Sequence, residues 1–248
     1  MNNTLKGLAA ASTLVLAGAA NATIVTVFDG VTAGVSSFDS TVTGAGATVG
    51  FDIWSGLSSG SSIDRGDYVI TQNDGGSAGV TTYGSLSGQV IGINPNGSGL
   101  PRTDPMDYFS SGITFTFDNA VNAVGFEVGD WATCCYPDTE LFMSFDNGAA
   151  IKVASADTSA EGRFPSQANA NSSVYEIFVA AFDDTGDFTK VSFWGNGSGE
   201  YLVAGGQVRY ALLDQGSLPG GSVPEPATMA LFGLGLAGLG YSRKKKKA

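Results

Sequence analysis

The chain has no histidine. That removes the Ser-His-Asp and Cys-His arrangements, which need an imidazole to carry the proton. It also makes zinc a poor fit, since the two cysteines, Cys134 and Cys135, are adjacent and cannot complete four ligands by themselves. No glycine-rich stretch is followed by Lys-Ser or Lys-Thr, so there is no phosphate-cradling loop. Cations are scarce. Of 23 acids all but Glu225, and of 12 bases all but Lys6 and the five at the C-terminal end, lie between residues 23 and 222, which leaves 22 acids against 6 bases. A body so negative repels nucleic acid, keeps a protein soluble, and favours cationic partners. Helical periodicity is nearly missing, and no repeat of fixed period is present.

What is present is a period of two. Ile113, Phe115 and Phe117 alternate with Thr114 and Thr116. Val124, Phe126 and Val128 alternate likewise, as do Leu141, Met143 and Phe145, then Val191 and Phe193, then Val208, Tyr210 and Leu212. Ile24 to Phe28, Tyr68 to Thr71 and Val90 to Ile93 are further strand candidates. This is the signature of half-buried strands. Turn formers separate the runs: Asp146-Asn147-Gly148, Asp183 to Asp187, and Gly195-Asn196-Gly197. Asp118-Asn119-Ala120 between two such runs reads as a hairpin. Ser36 to Gly66 and Asn94 to Asp107 read as long loops. The expected fold is all-β: an antiparallel, jelly-roll-like β-sandwich over residues 23–213, then a flexible linker at 214–222.

The two ends have a different character. Lys6, the apolar run Leu8 to Ala20, and Ala20-Asn21-Ala22 fit a secretory signal peptide over residues 1–22, so that the mature chain is expected to begin near Thr23. At the other end, Val223-Pro224-Glu225-Pro226 is stiff and extended. An uncharged apolar run, Ala227 to Tyr241, would span roughly 22 Å as a helix at about 1.5 Å per residue. Snorkelling lysine stems and local thinning fit that short helix to a bilayer. Arg243, Lys244, Lys245, Lys246 and Lys247 then form a stop that stays cytoplasmic.

A Pro-Glu-Pro segment, a glycine-rich apolar helix and a terminal basic cluster, in that order, resemble the PEP-CTERM protein-sorting signal. The cluster here is rich in lysine where such tails often carry arginine, and the charge is kept. The resemblance implies export across the inner membrane of a Gram-negative bacterium. It also implies recognition by an exosortase, a membrane-embedded cysteine transpeptidase that cleaves near Pro224, Glu225 and Pro226. Residues 243–247 would hold the tail until then. The stretch Ile113 to Leu213 is loosely similar to the ectodomains that often precede such tails. The destination implied is the cell surface or extracellular matrix, with exopolysaccharide as a possible partner and no nucleic acid.

Three loops hold candidate chemistry. Glu127, Asp130, Asp138 and Glu140 surround Trp131 and Tyr136. A glycosidase needs two carboxylates at a set separation, and a sugar binder needs an aromatic face with polar neighbours. The plainer reading is a polar turn whose Trp131 caps the edge of the core. A catalytic role is the least supported of the three, and the chain is read as a non-enzyme. Cys134 and Cys135, in an oxidising compartment, form a vicinal disulfide, stay as thiols, or pair with another chain. Asp183, Asp184 and Asp187 offer the oxygen donors of a structural calcium, or are simply an acidic turn. Apart from that calcium, no cofactor is expected. Trp194 with Asn196 and Tyr201 is another aromatic-polar cluster, which core packing explains as well.

Overall fold

The computed structural model describes residues 24–28, 30–93, 104–131, 139–158, 176–195 and 202–218. Its strands are β1 (Ile24–Phe28), β2 (Gly50–Ile53), β3 (Ile63–Asp64), β4 (Tyr68–Gln72), β5 (Val80–Thr81), β6 (Val90–Gly92), β7 (Ile113–Val121), β8 (Ala123–Gly129), β9 (Thr139–Phe145), β10 (Ile151–Ala156), β11 (Glu176–Phe182), β12 (Phe188–Gly195) and β13 (Val203–Ala211). One sheet runs β1-β11-β8-β13-β6-β5, with β2 also on β13; the other runs β10-β9-β12-β7-β4-β3. Every pairing between these strands is antiparallel.

The alternating residues pack where a sandwich needs them. Phe115 and Phe193 from the second sheet meet Phe126 from the first, with ring centroids 5.3 and 5.1 Å away. Val124, Val128, Ile177, Val179, Leu141, Met143 and Val191 fill the same core. The intervening residues of each strand therefore face outward. On the second sheet that outer face is closed by a 3-10 helix, Pro105–Ser111, whose Tyr108 packs with Phe142 and Trp194.

Two expectations are corrected. The stretch from Ser36 is not all loop: the helix α1 (Val31–Gly44) occupies its start, and β2 and β3 follow. Its helical stripe is Val31, Val35, Phe38 and Val42, hidden among Ser, Thr and Gly. Phe38 and Val42 pack on Phe178, Phe182, Ala123 and Ala211, which covers part of the first sheet's outer face. A Cβ on Gly34 would lie 2.3 Å from Phe178, so only glycine lets the helix settle this close. Nor is Asp118-Asn119-Ala120 a hairpin. β7 runs on to Val121, and these residues occupy an irregularity where Thr116 pairs with Lys190 and Val121 with Phe188. The chain then crosses to the other sheet at Asn122, because β7 and β8 belong to different sheets. Turn formers mark an interruption in pairing, and a bulge interrupts pairing as well as a turn does.

Candidate functional site

The residues grouped in sequence around Trp131 are separated by the strand alternation. Glu127 lies on β8 between the core residues Phe126 and Val128, so it faces outward from the first sheet. Glu140 precedes the core residue Leu141 on β9, so it faces outward from the second sheet. The carboxylate pair Glu127/Glu140 is thus split across opposite faces of the sandwich and cannot flank one glycosidic bond. Glu140 forms an ion pair with Lys152 of the neighbouring β10. Trp131 is buried in the inter-sheet core, as a residue capping the core edge is, and presents no open face for stacking. Asp138, Tyr136, Cys134 and Cys135 lie outside the described residues, as do Asn196 and Tyr201. Trp194 is also core, its Nε1 donating to the Pro105 carbonyl at 2.7 Å.

Glu127 has another role. The connection between β5 and β6, residues 82–89, lies as a strap on the outer face beside α1, with Tyr83 and Leu86 seated over Gly129. Alternate residues of the strap reach down to acids of the sheet. The Tyr83 hydroxyl donates to Asp130 Oδ1 at 2.7 Å. Ser85 donates through its N–H to Glu176 Oε1 and through its hydroxyl to Oε2, both at 2.5 Å. Ser87 donates through its N–H to Glu127 Oε2 at 2.7 Å and through its hydroxyl to Oε1 at 2.5 Å. Gln207 Nε2 adds a third donor to Glu127 Oε1 at 2.7 Å. Gln207 reaches it because β13 carries two extra residues against β8 between Gly205 and Val208. Gly206 sits there at φ +67, and a Cβ on it would be 2.0 Å from Glu127 Oε2. Burial pushes the Glu127 carboxyl above its ordinary range; Ser87 and Gln207 pull it down, and the nearby Glu176 charge adds to the rise.

A second polar network lies in the sandwich. The Trp54 Nε1–H donates to the Tyr68 hydroxyl at 2.7 Å, and that hydroxyl donates to Asp52 Oδ2 at 2.7 Å. Arg65 grips both Asp52 oxygens, at 2.7 and 2.6 Å. Burial alone would raise Asp52, but the hydrogen bonds from Arg65 and Tyr68 and the Arg65 charge hold it below the usual carboxylate range. The sequence reading missed both constellations. The strap had a signal, the polar alternation Tyr83, Ser85, Ser87, Gln89 between glycines; Asp52, Arg65 and Tyr68 had none.

The acidic turn after β11 is engaged with backbone. Asp183 Oδ1 accepts from the Thr185 and Gly186 N–H groups, at 2.9 and 3.2 Å. Asp184 Oδ2 accepts from the Leu218 N–H at 2.8 Å, and Asp187 points to solvent. Among the described residues no three or more carboxylates or thiols converge as a metal site. Asp184 also ties residues 214–218, expected to be free linker, to the folded domain. Among the described residues no helix is long and apolar enough to cross a membrane. Residues 1–22, expected to be a signal peptide, the apolar run Ala227 to Tyr241, Pro224, Glu225, Pro226 and residues 243–247 lie outside them.

The described fold is thus a sandwich-like, mostly β domain whose identified acids fasten its own loops. Beyond it, residues 222–245 match the family model of the PEP-CTERM protein-sorting motif. No curated protein and no solved structure matches the chain. The motif points to an exported protein, sorted by an exosortase at the membrane on its way to the cell surface.

Proposed function

We propose that the chain is an exosortase-processed surface or matrix protein of a Gram-negative bacterium, and that its jelly-roll-like sandwich is non-catalytic, binding or structuring exopolysaccharide. The observation that carries the reading is the sorting motif at residues 222–245, placed directly after the domain. The non-catalytic part is supported by the split of Glu127 and Glu140 and by the use of Glu127 as a strap anchor. Burial of Trp131 disfavours stacking on that ring, so sugar binding would use other side chains.

The test is made in the exporting cell. Glu225→Ala should accumulate as the uncleaved membrane form, seen by immunoblot and by intact mass. Unchanged processing removes the exosortase reading. Retention of the mature domain on a polysaccharide column supports binding, and free passage leaves the structural role. Reducing-sugar release that disappears in a folded Glu127→Gln variant would overturn the non-catalytic reading.

A further inference from the structure

The register places the first described strand's start and the last strand's end at one end of the sandwich. Ile24, the first described residue, pairs with Phe182; Phe182 pairs with Ala123, and Ala123 with Ala211. The chain enters the domain in this row and leaves from it. The opposite row, Gly92, Val203, Gly129 and Glu176, is where the chain departs toward residues 94–103 and 132–138.

The departing chain is clasped twice. Asn122, 2 % exposed, donates to the Leu213 carbonyl at 2.9 Å and accepts from its N–H at 2.6 Å. Asp184, 8 % exposed, accepts from the Leu218 N–H at 2.8 Å, and its carbonyl accepts from Gly216 at 2.9 Å. Leu218 also packs against the cluster beneath α1. Only residues 219–223 separate this second clasp from Pro224. Even fully extended they reach about 17 Å, at roughly 3.3–3.6 Å per residue. Without the Asp184 clasp the free segment would begin at residue 214 and reach about twice as far.

We propose that this end of the sandwich abuts the membrane-embedded processing enzyme, and that the Asp184 clasp sets how far the Pro224-Glu225-Pro226 segment can reach into it. The inference rests on the exosortase reading above and adds the face that meets the enzyme and the residue that sets the distance. A gauge of this kind has an epistatic signature. Deleting residues 219–221 removes about 10 Å of reach and should slow cleavage several-fold in a pulse-chase of the full chain in exporting cells. Asp184→Ala in the same deletion removes the acceptor of the Leu218 N–H, leaves the Gly216 N–H on the backbone carbonyl, frees the chain beyond Gly216, and should restore part of the rate. Asp184→Asn keeps an acceptor oxygen for the Leu218 N–H and should not.

Wild-type cleavage of the deletion variant, or failure of Asp184→Ala to rescue it while the domain still melts cooperatively, overturns the gauge. If Asp184→Ala does not fold, Leu218→Ser loosens the same clasp from its other end and is read in the same way. Glu225→Ala runs alongside: its normal cleavage would sink the exosortase reading itself, an outcome distinct from any failure of the gauge.

Discussion

Removing the Glu127 carboxylate should destabilise the domain without touching the main core. Three donors point at it: the Ser87 N–H, the Ser87 hydroxyl and Gln207 Nε2. In Glu127→Ala the hydroxyl can turn elsewhere and Gln207 Nε2 keeps Ser87 Oγ as an acceptor at 2.9 Å, but the part-buried hydrogen bond from the Ser87 N–H to a carboxylate is lost. Losing a charged acceptor costs about 1.5–3 kcal/mol, and with the lost contacts of the side-chain stem the penalty is about 2–4 kcal/mol. At about 2–4 °C per kcal/mol for a domain of this size, melting should fall by roughly 4–16 °C. Glu127→Gln keeps one acceptor and the shape, so it should cost only about 1–2 kcal/mol.

The pH dependence gives a second readout. Because the folded Glu127 carboxyl lies above its ordinary value, its contribution is full below that value and is lost as pH rises through the folded one. The advantage of wild type over Glu127→Gln should therefore narrow as pH climbs from below 4.5 towards neutrality. Urea unfolding of residues 23–218 across pH measures both effects. A Glu127→Ala variant within about 0.5 kcal/mol of wild type, or an advantage that widens with pH, would refute the strap anchor.

Tyr68→Phe leaves the Trp54 indole without its acceptor and Asp52 without one donor, and should cost about 1–3 kcal/mol; urea unfolding followed by tryptophan fluorescence reads it. Asp52 has the opposite pH sign to Glu127. Its folded value lies below 3.8, so its stabilisation is present above that value and is lost as pH falls through the folded one; acid unfolding of Asp52→Asn should be flatter there. Gly206→Ala and Gly216→Ala share positive φ angles of +67 and +72, but only the first meets Glu127, the second having open space. Gly216→Ala should cost about 1–2 kcal/mol from backbone alone, and Gly206→Ala distinctly more; equal melting temperatures would refute the close approach.

The strands of the second half were legible because each buries one face: Phe115, Phe126, Met143 and Phe193 recur every second residue and meet in one core. Which strands pair was not legible. Alternation says which side chains point inward, not which sheet they point inward from, so β7 and β8 read as a hairpin although they lie in different sheets. α1 was hidden because β-branched and small residues give a weak helix signal, and its stability comes from packing on Phe178 and Phe182. The pair Glu127 and Glu140 came apart for the same geometric reason as the hairpin. Nearness in sequence placed Glu127 and Glu140 together, and the passage between sheets placed them on opposite faces. The polar alternation of the strap was visible in sequence, but that residues 82–89 cross over β8 and β11 is a long-range fact the alternation does not carry.

The acidity of the body is more than a solubility device. Among the described residues three ion pairs join acids to cations. Most of the other identified partners of carboxylates are backbone N–H groups and hydroxyls. Asp146 holds the Thr189 and Lys190 N–H groups. Asp104 caps the 3-10 helix through Met106. Asp64 and Asp74 close tight turns at Gly66 and Gly76, and Glu127, Glu176 and Asp184 fasten the strap and the exit chain. A chain with few lysines and arginines has thus turned its carboxylates into fasteners for loops that glycine and serine alone would leave loose. Such bonds differ from surface ion pairs in what they resist. Salt screens separated charges strongly but does little to a short hydrogen bond from an N–H to a carboxylate. A protein fastened this way should hold its loops at Ser87 and Leu218 across ionic strengths: their hydrogen exchange, relative to the intrinsic rate, should change little between low and high salt, whereas exchange beside the exposed Lys152–Glu140 ion pair should rise.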